Sequence, residues 1–388
     1  MPESAGRPQV AVVQRALRRY RQPFFDELRR QLDDVGIDLR VLYSVYRNPP
    51  ANHEERGDSA TLSWAQPVPS WVWPPKTNKL VWQPALGHLR DVDLVVVEQA
   101  SGALLNYVLF AHQAIGRARV ALWGHGRNFD SAQRSRGGEV LKRWLSTRPH
   151  WWFAYTDEAA GVVADLGFPR DRITVVQNAT DSRALADRVD GFDDQRLEEH
   201  ARRHGITGSN VGLFLGSLVG RRRIEFLLAA ADDVRRAVPD FELIVAGGGR
   251  LASTVEEAAR TRPWLRSVGP VFGDDLAAWL RTAKVAMVPG WVGLSVVDCF
   301  AGGLPMVTSD SGAHGHPPEF GYIVDGHNGR VVSDGGNPAV YADAVTRLLI
   351  DEPTRKTLVQ GCLESRERYT VEAMAQRFRE GIQAALRR

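Results

Sequence analysis

Cysteine is nearly absent from this chain: Cys299 and Cys362 are the two present in 388 residues, and neither stands in a CxxC or Cys/His ligand spacing. Neither a disulfide framework nor a zinc site is therefore indicated, and reduced structural thiols are the simplest reading. No apolar run approaches the roughly 20 residues that a membrane-spanning helix needs, so a soluble or peripheral protein is expected. The N-terminus, MPESAGRPQV, lacks the basic flank, apolar stretch and cleavage site of a secretory signal, which points to the cytosol. An excess of one charge is missing too. The 49 Lys and Arg against 46 Asp and Glu leave a formal +3, far from the concentrated basic face of a nucleic-acid binder. Patterns of serine hydrolases, P-loop kinases and zincins (GxSxG, the P-loop, HExxH) do not occur, and those chemistries lose their usual support.

What is present is ordinary globular material, 44% hydrophobic and 24% charged, in a chain long enough for two cores. Short runs of Val, Ile and Leu alternate with longer segments of helical periodicity, the pattern of parallel strands joined by crossover helices. A first series of strands is expected at 10–13, 38–43, 94–97, 120–123, 152–155 and 173–176, and a second at 211–215, 242–246, 267–271, 285–288 and 306–308. The charged stretch 187–210 between them reads as a linker containing a short polar helix over 193–204. The expected organisation is a first domain over 1–190, a linker over 191–209, a second domain over 210–370, and a C-terminal helix, 371–388, crossing back to the first domain.

Residues 48–86 interrupt the pattern, being Pro-rich and carrying Trp64, Trp71, Trp73 and Trp82. Tryptophan faces suit stacking on sugars or lying in a membrane interface, and a hairpin packing its own tryptophans is the alternative. The basic residues Arg18, Arg19, Arg21, Lys142, Arg143 and Arg148 read as solvated helix faces or as a surface for anionic lipid.

The segment 285–332 is the most informative. A buried strand ends at Pro289, a Gly-containing loop follows, and a helix begins near Gly293 and Leu294. Unpaired amides at a helix start suit a diphosphate, with Ser295 as a further donor. Asp298, one turn on and flanked by Val296, Val297, Phe300 and Ala301, is placed to accept hydrogen bonds from ribose hydroxyls.

These residues make the chain similar to the retaining glycosyltransferases of family 4, in the GT-B superfamily. The resemblance runs over nearly the whole length and is strongest in the second half. It implies an α/β protein of GT-B architecture: two Rossmann-like, doubly wound parallel-sheet domains facing across a cleft. Family members carry two glutamates separated by seven residues. Alignment on Gly293, Leu294, Gly303 and Pro305 puts Asp298 at the second and Gly290 at the first, a departure that implies altered donor specificity or lost activity. Backbone amides of Val292 to Ser295 remain for the sugar and phosphates.

The loop GSLVGRRRIEFLLAA after the first strand of the second series resembles the family's phosphate loop, with Gly216, Ser217 at the usual Arg position and Arg222 at the usual Lys position. Arg222 can neutralise charge as a diphosphate departs; Arg221 and Arg223 flank it, and cations at a helix start oppose its dipole, which favours an anionic ligand. By resemblance, Gly247 in IVAGGGR belongs to the donor site, Val271 and Phe272 meet the base, and Glu319 is the acidic residue following the sugar-side loop. In the first half, His125 in WGHGRNFD lies at the carboxyl end of a strand, the ligand-binding edge of such sheets, and the resemblance turns it toward the donor. Tyr20, Arg21, Gln99, Ser101 and Asn128 are acceptor-side candidates. Asp91 and Asp93 spell a DxD, but precede a strand and read as a decoy rather than a metal site.

The function implied is transfer of a sugar from a nucleoside diphosphate sugar to a hydroxyl of a glycan, glycolipid or small molecule, with retention, without a metal or other cofactor. His125 and Arg222 are the catalytic candidates. Partners expected are the donor, the acceptor and the inner face of a membrane, with no nucleic acid. The alternatives are a catalytically silent sugar-nucleotide-binding scaffold, which Gly290 and Ser217 favour, and a hydrolysing epimerase, for which no acid and base constellation is present.

Overall fold

The computed structural model describes residues 6–49, 60–77, 79–126, 144–310 and 317–388. Two compact units emerge, Met1–Asn178 with Val371–Arg388, and Ala179–Thr370. The first holds an eight-stranded sheet in the order β4-β3-β2-β1-β5-β6-β7-β8. Its strands are β1 (Gln9–Gln14), β2 (Asp38–Tyr46), β3 (Gln66–Trp73), β4 (Leu80–Trp82), β5 (Leu94–Glu98), β6 (Arg119–Gly124), β7 (Trp151–Ala154) and β8 (Ile173–Val175). The second holds a six-stranded sheet, β11-β10-β9-β12-β13-β14, built from β9 (Asn210–Leu215), β10 (Phe241–Ala246), β11 (Leu265–Gly269), β12 (Val285–Val288), β13 (Met306–Ser309) and β14 (Gly329–Val332). Every pairing is parallel except β3 with β4. Helices cover the sheets, so strands such as β10 and β12 are buried at every residue and read as unbroken apolar runs.

In each unit the chain winds outward from a central strand in both directions. The strand order reverses between β1 and β5 in one sheet and between β9 and β12 in the other. The carboxyl-end loops at such a reversal frame the crevice in which open α/β sheets bind ligands.

Three strands lie where the sequence reading placed none. β14 is short, and β3 and β4 lie inside the Pro-rich stretch, where prolines mask the strand pattern. β11 ends at Gly269, earlier than expected, so Val271 and Phe272 follow the strand, with Phe272 preceding the helix Gly273–Thr282.

The domain limits also differ. The first unit ends at Asn178, not at 190, and the expected linker 191–209 is part of the second unit. Helix Ser182–Asp190 sends Leu185, Ala186 and Val189 into the same core as Leu280 and Phe300. Helix Asp194–Arg203 buries His200 edge-on against Trp279, centroids 4.3 Å apart. Few apolar side chains do this work, so the polar composition of the stretch conceals it. The C-terminal helix Val371–Arg387 is counted with the first unit. Its Phe378 stacks on Phe153 at 4.6 Å and stands edge-on to Trp123 at 4.8 Å. Gly381 permits that approach, since a Cβ there would lie 2.6 Å from the Phe153 ring. Arg119 and His150 bond the terminal carbonyls of Leu386 and Ala385, closing a helix end that otherwise lacks partners.

Candidate functional site

At the reversal of the second sheet, the loops after β9, β10 and β12 converge. Leu218 N donates to Gly248 O, and Gly247 N donates to Gly269 O, so the loops after β9, β10 and β11 are stitched together. Gly247 is obligatory in this geometry: a Cβ would fall 1.8 Å from Gly216 O. The result is a floor of bare backbone, the condition under which a phosphate can approach main-chain amides closely.

The three consecutive arginines take different places. Arg222 lays its guanidinium over two glycines from different loops. A Cβ on Gly216 would lie 3.2 Å from its Cζ, and one on Gly293 would lie 3.1 Å from its Nη2. Its Nη1 donates to Trp291 O. Desolvation lowers its pKa to about 10, with Glu319 opposing the shift, so the cation persists at neutral pH. Arg223 is drawn away from the crevice: its Nη1 meets Asp334 Oδ2 at 3.2 Å, Ser309 Oγ at 3.1 Å and Pro289 O at 3.2 Å. It adopts a left-handed backbone, φ 56° and ψ 51°, at a cost of about 1–2 kcal/mol offset by the buried pairing with Asp334. Arg221 is exposed with its guanidinium 4.4 Å from the Trp291 ring centroid. The sequence left the phosphate contact open by one position; the structure puts Arg222 over the glycine floor.

Gly293 borders this floor beneath the Arg222 guanidinium, followed by Leu294 and the short helix Ser295–Ala301. Ser295 Oγ is buried without a hydrogen-bond partner among the described residues, a costly arrangement unless a ligand completes it. Asp298 is half-buried and accepts a 2.9 Å hydrogen bond from Thr180 Oγ1. Burial pushes its carboxyl up to about 6, against the lowering effect of that bond. Glu319 is buried and close enough to Arg222 to act on its charge. Ser217 is exposed, and Val271 is half-buried beside an exposed Phe272.

Gly290 is enclosed. A Cβ there would stand 2.4 Å from Arg221 O and 2.6 Å from the carbonyl carbon of Arg222, and Trp291 N donates to Arg221 O at 2.9 Å. The turn Gly220–Arg222 passes over the position where the resembled family has its first glutamate, so no side chain fits on this backbone.

In the first unit, His125 follows β6 and stacks on Tyr155, centroids 4.3 Å apart. Burial and then the Arg21 guanidinium push the imidazole down to about 4, which leaves it neutral at pH 7. Arg21, an acceptor-side candidate, is 4% exposed. It donates to Tyr155 Oη at 3.1 Å and lies 4.5 Å from the Trp123 ring centroid, held inside an aromatic cage that suits a weakly hydrated guanidinium. Tyr20 lies beneath the same guanidinium at 5.1 Å. Gln99 Oε1 accepts from Gly126 N at 2.8 Å and so orders the loop carrying His125. Ser101 is exposed and gives its carbonyl to Tyr107 Oη at 2.7 Å. Asn128 lies outside the described residues, as do Lys142 and Arg143. Asp93 pairs with Gln9 N at 2.7 Å, before β5 begins, at the amino end of the strands. No cluster of three or more His, Cys, Asp or Glu that could hold a metal occurs among the described residues, and no described helix is long and apolar enough to cross a membrane.

Thr180, Trp291 and Asp334 were not singled out in the sequence. Thr180 stood inside QNATD and Trp291 beside Gly290, but their partners are distant in the chain.

Residues 209–351 match the family model described as glycosyl transferases group 1. A D-inositol 3-phosphate glycosyltransferase of Corynebacterium diphtheriae is 32% identical over 198 residues, 47% of this chain and 45% of that protein. The glycogen synthase of Mycobacterium tuberculosis is 29% identical over 279 residues, 70% of this chain and 61% of that protein. The chain thus spans about half the length of the curated relatives it matches. Among solved structures, Anabaena HepE in complex with UDP-glucose has a TM-score of 0.68 at 12% identity, covering 97% of this chain and 99% of that one. A glycosyltransferase from Rickettsia africae reaches 0.72 at 10% identity, covering 98% and 99%. The fold is that of the GT-B proteins, two parallel-sheet α/β units.

Proposed function

From this group 1 glycosyltransferase likeness over residues 209–351, we propose that the chain transfers a sugar from a nucleoside diphosphate sugar to an acceptor hydroxyl. The observation that carries this reading is the Arg222 guanidinium lying over Gly216 and Gly293, with the buried Ser295 hydroxyl, which has no partner among the described residues, two residues on. A compact dianion fits such a cradle: bare backbone for close approach, amides for hydrogen bonding, and a partly desolvated cation whose field is strengthened by its surroundings.

When the anomeric bond breaks, negative charge builds on the leaving diphosphate. Arg222 and the amides of Gly293 to Ser295 stabilise that charge more than they stabilise the intact donor, which lowers the barrier. Asp298, held by Thr180, receives the ribose hydroxyls. Acceptor recognition is assigned to the first unit, where neutral His125 offers a hydrogen bond rather than a proton at pH 7. The acceptor is a hydroxylated glycan, glycolipid or small molecule. Transfer proceeds with retention and without a metal, the departing phosphate oxygen taking the acceptor proton.

The relatives named above support the donor class, one being an inositol-phosphate glycosyltransferase and one structure holding UDP-glucose. The reading is tested by incubating the protein and a chelator with a panel of nucleotide sugars and an envelope-glycan extract. Mass spectrometry should detect donor-dependent product, and NMR should assign an unchanged anomeric configuration. Arg222→Ala should retain the apo melting temperature and lose most of the thermal stabilisation given by millimolar UDP. Equal stabilisation in the variant would remove Arg222 from the site. A scaffold that binds the nucleotide and turns nothing over is favoured by Gly290, and it would show the UDP shift with no product.

A further inference from the structure

The tryptophans of the Pro-rich stretch do not pack one another into a core. In β3 the odd-numbered side chains face outward, leaving Trp71 44% and Trp73 66% exposed. The antiparallel register sets Trp71 opposite Trp82 and Trp73 opposite Leu80, and Trp82 and Leu80 are each 37% exposed. Val68, Ser70 and Val72 point the other way and are buried. Four large apolar side chains therefore share one outer face at the edge of the first sheet, an arrangement soluble proteins ordinarily avoid unless the face is used.

Charge identifies what the face meets. From Ala60 to Arg90 the chain has no Asp or Glu, whereas Lys76 and Lys79 flank the hairpin tip and both are exposed. Aromatic rings whose indole N–H stays in the polar layer, rimmed by ammonium groups, match the headgroup region of an anionic bilayer. A second copy adding a strand is disfavoured. Arg47 N donates to Ser70 O, so the backbone of even-numbered residues of β3 bonds toward β2 and that of odd-numbered ones toward the other side, where β4 already pairs with Trp71 and Trp73. Pro67 and Pro69 stand at odd positions, with no N–H to offer a partner strand. A sugar platform is disfavoured as well, because residues 60–90 supply no carboxylate to fix ring hydroxyls.

We propose that the β3–β4 hairpin is a peripheral membrane-docking element that inserts Trp71, Trp73, Leu80 and Trp82 into the interface of an anionic bilayer, with Lys76 and Lys79 on its phosphates. This goes beyond sugar transfer and stands whether or not the donor site turns over.

Flotation with vesicles, without donor or acceptor, is the test. The protein should float with phosphatidylcholine vesicles containing about 30% phosphatidylglycerol, weakly with phosphatidylcholine alone, and less as salt rises. Trp71→Ser with Trp73→Ser should reduce the bound fraction on anionic vesicles by about tenfold or more. Lys76→Glu with Lys79→Glu changes only exposed residues and should abolish the preference for anionic lipid. Circular dichroism and melting temperature report whether each variant is folded; should the tryptophan variant misfold, the lysine variant decides. No flotation of the wild type, or equal flotation of the folded lysine variant, overturns the proposal. Self-association in sedimentation velocity that the tryptophan variant removes, without lipid binding, assigns the face to a second copy and overturns it equally.

Discussion

Gly290 shows how much one residue depends on its neighbours. With the Arg221–Arg222 backbone within 3 Å of any Cβ there, Gly290→Ala should destabilise the second unit by about 2 kcal/mol or more through overpacking against main chain. Chemical denaturation measures this, and a glutamate at the same position should do worse rather than raise activity. Asp298 carries a pH signature. Its folded carboxyl titrates at about 6 against 3.8 for an ordinary one, so between those values the folded state keeps a proton that the unfolded state releases. The stabilisation from this group is complete below pH 3.8 and is lost as pH rises through 6. Asp298→Asn keeps an acceptor for Thr180 and should flatten that fall, with a melting temperature at pH 7 no lower than the wild type. A variant that melts lower at pH 7 and higher at pH 4 would reverse the sign.

Among elements, the C-terminal helix is the clearest dependency. Phe378 fills the space between Phe24, Phe153 and Trp123, and Phe378→Ala should cost about 3–5 kcal/mol, seen as loss of the first unit's melting transition at lower denaturant. Most elements were legible in the sequence. β1, β5, β6, β9, β10 and β12 announce themselves as apolar runs because both faces are covered. β3 was not legible, since prolines at alternate positions hide a strand whose outer face is aromatic rather than polar. Residues 187–190 read as linker because only Leu185, Ala186 and Val189 carry the apolar face of helix Ser182–Asp190.

The whole chain is two units, each with its own core, which predicts two calorimetric transitions. UDP at millimolar concentration should raise one of them, that of Ala179–Thr370, because Gly216, Arg222, Gly293, Ser295 and Asp298 all lie within it. A shift confined to the other transition would place the nucleotide in the first unit.

Composition and periodicity by themselves determined the doubled α/β plan, since parallel strands buried on both faces must be written as continuous apolar runs. Glycine and arginine spacing also singled out the loops after β9 and β12, which meet at the strand reversal of the second unit. Tertiary structure alone decided which arginine lies over the glycines. Arg221, Arg222 and Arg223 are chemically identical in the sequence, and only the crossing of the loops after β9 and β12 turns one to Trp291, one over the glycines and one to Asp334. The closing of Gly290 has the same origin: which backbone passes within van der Waals distance is a property of chain crossings, and residue order does not record it.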